Sequence, residues 1–126
     1  MSIVIKIKRA YEEPEEKDGV RILIDRIWPR GISKETIKIN KWIKDLAPSN
    51  DLRKWFSHDA LKWNEFKRKY FMELNEKKFL CKELIEKGKV ITLVYGAKDE
   101  KYNQAAALRE YLNNNFLNEK EPEFKK

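Results

Sequence analysis

One cysteine, Cys81, and one histidine, His58, stand in the 126 residues. A single cysteine rules out an intramolecular disulfide and a cysteine-rich zinc site. With one histidine, a metal site would draw nearly all its ligands from carboxylates, and a Ser-His-Asp or Cys-His device could use only His58. Neither a metal nor a cofactor is expected. No apolar run approaches the roughly 20 residues that span a bilayer. The N-terminal stretch Met1 to Arg9 alternates isoleucine with lysine and has no signal-peptide core. These absences predict a soluble, cytoplasmic protein with no membrane partner. Neither GxGxxG nor GxxxxGK[ST] occurs, so no standard nucleotide loop is present.

What the chain does have is charge and an adequate core. Hydrophobic residues make up 41% and 15 residues are aromatic, which excludes a disordered chain. A chain of this length buries roughly two-thirds of its unfolded surface, enough for one core without staples. Charged residues make up 39%, against the usual quarter or so. Basic residues number 28 and acidic 21, a net +7, which favours anionic partners. Lysine outnumbers arginine 21 to 7. Where lysine is the default cation, each arginine marks a place where a planar, bidentate fork is wanted. Arg26, Arg30 and Arg53 fall in the segments richest in chemistry.

Ile3, Ile5 and Ile7 alternate with Val4, Lys6 and Lys8, the period of a half-buried strand. Tyr11 to Gly19 reads as a loop too acidic to pack. Val20 to Ile27 reads as a strand buried on both faces, halted by Trp28-Pro29. Ile39, Trp42, Ile43 and Leu46 have helical spacing. Asp51 to Phe56 forms a short helix capped by Ser49 or Asn50. The stripe Trp63, Phe66, Tyr70, Leu74, Cys81, Leu84, Ile85 is a longer helix, interrupted near Asn75 and ended by Gly88. Val90 to Tyr95 is the most apolar strand, and Asn103 to Phe116 a final helix. Apolar strands separated by helices imply parallel pairing. The expectation is a single α/β domain over residues 1–117, a short parallel sheet flanked by helices on both faces. A helical insertion separates its second and third strands, and 118–126 form a charged tail.

In open parallel sheets, ligands bind beyond the carboxyl ends of the strands. That rule singles out Asp25-Arg26-Ile27-Trp28-Pro29-Arg30-Gly31 and Tyr95-Gly96-Ala97-Lys98-Asp99. Asp25 is either a structural partner of Arg30 or Lys98, or a general base or ligand-orienting carboxylate. Arg26 and Arg30 on a proline-stiffened loop suit phosphate or carboxylate, unless they pair with surface glutamates around a core Trp28. Lys98 adds a mobile positive charge, and Asp99 is equally read as a helix cap. Trp55-Phe56-Ser57-His58-Asp59 is the third segment. There His58 is a candidate acid or base, or else a capping or packing residue. Cys81 lies on an apolar helix stripe, where cysteine acts as a small hydrophobe.

These three segments, Asp25 to Gly31, Leu52 to Asp59, and Thr92 to Asp99 followed by Asn103 and Ala105, resemble the DUF488 family, in particular its short, single-domain YeaO-like branch. The resemblance covers about Ile3 to Leu117. One departure is Gln104, where the branch often has histidine. The resemblance implies an α/β fold and a cytoplasmic prokaryotic protein, but no reaction. The leading reading is a pocket for a small anion, such as a nucleotide or phosphate-type metabolite. Asp25 and His58 are its catalytic candidates, and Arg26, Arg30, Arg53, Tyr95, Lys98, Asp99 and Asn103 its ligand-binding set. Whether such a pocket belongs to an enzyme is left open, as is the oligomeric state. Nucleic-acid binding is allowed by a pI near 9.4 but not favoured, because glutamates interrupt every basic run. A non-catalytic interaction module is the third reading.

Overall fold

A computed structural model describes residues 2–117; Met1 and 118–126, with the expected charged tail, lie outside the described residues. Four strands, β1 (Val4–Arg9), β2 (Val20–Leu23), β3 (Lys41–Trp42) and β4 (Val90–Tyr95), form one sheet in the order β1-β4-β2-β3. Every neighbouring pair is parallel, with Ile5 opposite Ile91, Ile22 opposite Leu93 and Leu23 opposite Trp42. The helices are α1 (Lys34–Ile37), α2 (Asn50–Phe56), α3 (Trp63–Asn75), α4 (Lys78–Ile85) and α5 (Gln104–Asn115). No helix among the described residues is long and apolar enough to cross a membrane. The expected α/β class is therefore the observed one.

Strand periodicity decides which residue meets which layer. Ile22, Ile24, Ile91, Leu93 and Tyr95 point into the main core, which α2 to α5 complete with Leu52, Phe66, Tyr70, Leu84 and Leu108. Leu23 and Val94 point the other way, onto a small second cluster with Ala10 and Ile37 of α1. Helices thus lie on both faces, but very unequally. Ser49 caps α2 by accepting from the Leu52 N–H, and Asn103 caps α5 by accepting from that of Ala106. The long apolar stripe is broken at Glu76-Lys77, between α3 and α4.

Three local expectations change. The helical spacing of Ile39, Trp42, Ile43 and Leu46 belongs to no helix: Lys41–Trp42 add a fourth, edge strand, and Lys44–Leu46 make a single 3-10 turn. The insertion therefore lengthens the sheet as well as covering it. β2 ends at Leu23 rather than Ile27, although the Ile24 N–H still donates to the Val94 carbonyl at 3.1 Å. The acidic loop does pack. Asp18 and Arg21 are each only 4% exposed. The Asp18 carboxylate accepts from Arg21 Nη1 at 2.7 Å and Lys8 Nζ at 3.1 Å, and its carbonyl from Thr92 Oγ1 at 2.6 Å. One buried carboxylate with two cations pins residues 10–19 to the sheet, so this crossover needs no long helix. Gly19 (φ +67°) completes the turn, since a Cβ there would lie 2.2 Å from the Val90 carbonyl oxygen.

Candidate functional site

The chain leaves β2 toward the β3 edge, whereas after β4 it enters α5, which packs over β1 and β4. The exits diverge between β2 and β4, so a crevice opens at the carboxyl ends of these two strands. There Asp25 and Gly96 face one another, as parallel pairing of the two strands requires. Asp25 Oδ2 accepts from the Gly96 N–H at 2.9 Å, and Oδ1 accepts from Gln104 Nε2 in the first turn of α5. A Cβ at position 96 would stand 2.8 Å from Oδ2, which accounts for glycine there. Neither Arg30 nor Lys98 is the partner of Asp25.

The crevice deepens into a cavity of about 180 Å³. Its polar wall comprises Asp25, Arg26, Arg53, His58, Asn103 and Gln104, and its apolar wall includes Ile27, Phe56, Phe66 and Tyr102. Burial pushes the Asp25 carboxyl up to about 6, against the opposing pull of the Gly96 and Gln104 hydrogen bonds and the charge of Arg53. Half-buried Arg26 is held by backbone carbonyls, Nε donating to Pro48 at 3.1 Å and Nη2 to Ala47 at 3.1 Å. That carbonyl pair is itself fixed. The Tyr70 hydroxyl of α3 donates to the Leu46 carbonyl, and the Glu73 carboxylate accepts from the Ser49 N–H at 2.9 Å and its hydroxyl at 2.6 Å. Arg53, exposed at the rim, donates from Nη2 to Asn50 Oδ1 at 3.3 Å. Among the described residues no carboxylate lies within ion-pair distance of Arg26 or Arg53.

His58 reaches the rim through an unusual backbone. Ser57 (φ +45°) and His58 (φ +58°) are consecutive left-handed residues that end α2. Side chains disfavour that region by about 1–2 kcal/mol per residue. The strain turns the exposed imidazole toward the cavity, while Asp59 caps the next turn by accepting from the Leu61 N–H at 3.0 Å.

The structure therefore gathers Asp25, Arg26, Arg53 and His58 into one cavity and separates other members of the expected set. Arg30 is exposed and does not line it; its carbonyl accepts from the Tyr11 hydroxyl at 2.7 Å. Trp28 packs edge-on against Trp42, 5.3 Å between centroids, and stiffens that loop instead. Tyr95 is a core residue, 2% exposed. Lys98 and Asp99 line a shallower neighbouring depression, with His58 common to both. Asp99 caps the turn before α5, accepting from the Lys101 and Tyr102 N–H groups at 2.9 Å, which holds its carboxyl below the usual range. Asn103 borders the cavity, but its amide is spent on the α5 cap and the Asp99 carbonyl. Gln104 was the residue sequence reasoning undervalued, marked only as a departure from the branch's pattern. Its position one residue inside a helix facing a strand-end aspartate was the available signal. Cys81 is fully buried, with its thiol pushed up to about 11 by burial. No group of three or more metal-ligating side chains occurs among the described residues.

The comparisons agree with the resemblance read from the motifs. A family model described as "Inactive DUF488-N3 subclade" matches residues 4–125. The chain is 39% identical over 110 residues to "Uncharacterized protein YeaO" of Escherichia coli, covering 86% of this chain and 96% of that protein. It is 36% identical over 110 residues to "Uncharacterized protein Rv3073c" of Mycobacterium tuberculosis and to "Uncharacterized protein Mb3100c" of Mycobacterium bovis, in each case covering 86% of this chain and 93% of the relative. No solved structure matches the chain.

Proposed function

The chain belongs to the DUF488 family, and we propose that its sheet-end cavity binds a small anionic metabolite without transforming it. The observation that carries this reading is the pair Arg26 and Arg53, two guanidiniums on one concave, partly apolar site, neither within ion-pair distance of a carboxylate among the described residues. Arg26 commits two of its five N–H donors to backbone carbonyls, which orients the fork and leaves the rest for a ligand. A fork prearranged in this way recognises carboxylate or phosphate bidentately. About 180 Å³ is below the roughly 300–1,000 Å³ of pockets for drug-sized ligands, so a compact acid or phosphate fits better than a dinucleotide. Binding without turnover accords with the subclade's description as inactive. His58 at the rim serves the same anion as a hydrogen-bond donor.

Isothermal titration with inorganic phosphate and with small carboxylic acids tests the reading. Arg26→Ala should weaken binding roughly 10- to 100-fold, the worth of charge-assisted hydrogen bonds. Arg26→Lys should recover only part of it, while Arg68→Ala, a surface change, should be silent. Equal loss from Arg68→Ala, or no anion binding at all, would refute it. Tight, sequence-dependent DNA binding near physiological salt that ignores Arg26→Ala would favour the nucleic-acid reading.

A further inference from the structure

Asp25 and Arg26 are neighbours in the chain with opposite charges, both half-buried and both lining one cavity, yet they do not pair. Asp25 turns to the end of β4 and α5, where it accepts from two neutral donors, the Gly96 N–H and the Gln104 amide. Arg26 turns the other way, to the carbonyls of Ala47 and Pro48. Each charge is thus positioned by neutral groups and neutralised by none of them. A carboxylate offers about four lone-pair sites, and two are used; a guanidinium offers five donors, and two are used. Arg53 and His58 are exposed at the rim, where water screens them. The deeper part of the cavity therefore holds one negative and one positive group, held apart, against an apolar wall that includes Phe56, Phe66 and Tyr102.

We propose that the ligand is a small zwitterion, an α-amino acid with an apolar side chain, whose carboxylate meets the Arg26 fork, whose ammonium meets Asp25 and whose side chain lies on the aromatic wall. This rests on the anion-binding reading of Arg26 and adds the second pole. A plain acid would satisfy the guanidinium but leave the Asp25 carboxylate buried without a cation, and carboxylates in that position are costly to leave so. An ammonium supplies three donors to it and cancels its charge. Burial raises the pKa of Asp25 against the pull of its two hydrogen bonds and of Arg53, so the carboxylate stays under-compensated where it sits.

Titration calorimetry of the wild-type protein with leucine, 4-methylpentanoate and leucinamide separates the poles, because the last two lack the amine and the carboxylate respectively. Leucine should bind on the order of tenfold or more tighter than either. Asp25→Asn should erase most of the gap between leucine and 4-methylpentanoate. If 4-methylpentanoate binds as well as leucine, the zwitterion is wrong and the simpler anion reading stands. If leucinamide matches leucine, the carboxylate pole is wrong and both readings fall. If none of the three binds and phosphate still does, only the zwitterion is overturned; if phosphate fails too, both are. The wild-type comparison needs no variant to fold, so a poorly folding Asp25→Asn does not shield the proposal.

Discussion

Replacing Asp25 by asparagine should make the protein more stable at neutral pH, contrary to the usual effect of changing a half-buried, hydrogen-bonded residue. The carboxyl's ordinary value of 3.8 is raised to about 6 in the fold, chiefly by burial. That difference is equivalent to about 3 kcal/mol of preference for the neutral form. Between the two values the folded chain keeps a proton that the unfolded chain has released, so unfolding free energy falls as pH rises across that window. Above about pH 6 the full penalty is present; below 3.8 it is absent. Asparagine carries no charge, but it offers one carbonyl oxygen where two oxygens accepted, from Gly96 and Gln104. Losing one such bond costs about 1 kcal/mol. The net expectation is about 2 kcal/mol of stabilisation at pH 8, roughly 6–10 °C in Tm for a domain of this size. By pH 4 the advantage should have vanished. Thermal melts of both proteins at matched pH give the difference, from which the other acids, common to both, drop out. A difference that is flat from pH 4 to 8, or destabilisation at pH 8, would refute the claim that Asp25 is under-compensated.

Asp18→Asn should cost about 3–5 kcal/mol in urea unfolding, because it strands the Arg21 guanidinium in the interior and releases Lys8; a cost below 1 kcal/mol would show that the loop is not pinned there. The Asp18 carboxyl sits below its ordinary value, held there by its hydrogen bonds and the Lys8 charge. Its contribution is therefore present above about pH 3.8 and lost as pH falls through the lower folded value. Gly96→Ala should destabilise by about 1–3 kcal/mol, since its Cβ would enter at 2.8 Å from Asp25 Oδ2, and unchanged melting would mean the strand ends can part freely. His58→Gly should raise stability by about 0.5–1 kcal/mol through relief of the left-handed backbone while lowering anion affinity; a drop in both would place the imidazole in packing instead.

Most of the frame was legible because its signals are long. Six residues of β4 and twelve of α5 carry their periods plainly, and the Ser49 and Asn103 caps stand where the patterns begin. What escaped was short or depended on distant partners. Two residues of β3 are too few to show a period, and the flanking Ile39, Ile43 and Leu46 mimic a helical one while serving two different clusters. Asp18 was hidden in a run of glutamates and lysines, since nothing local marks which acidic residue is buried; Arg21 and Thr92 decide it. At the site, the rule about strand ends located the cavity, and parallel pairing put Asp25 beside Gly96. It could not say which of two arginines on one loop points inward. Arg26 does so because residues 46–49, a segment over twenty positions away, present carbonyls to it.

The case for a binding role rests on contrast within this one chain. Elsewhere three buried or half-buried carboxylates are met by direct means: Asp18 has two cations, Glu73 takes the Ser49 N–H and hydroxyl, and Asp99 closes its own turn. Each arrangement could arise from selection for stability alone. Around the cavity the same chain leaves an under-compensated carboxylate, a guanidinium without a counter-ion among the described residues, and two successive left-handed side chains at Ser57 and His58. These are three separate costs, of different physical kinds, and all three border this crevice. Strain and unsatisfied charge persist where the surrounding structure holds them and cluster where they are used. A scaffold with no ligand would gain stability by exchanging any of them for an ordinary residue. The interaction-module reading predicts that such exchanges are neutral to every activity, whereas a ligand site predicts that each gain in stability is matched by a loss of binding.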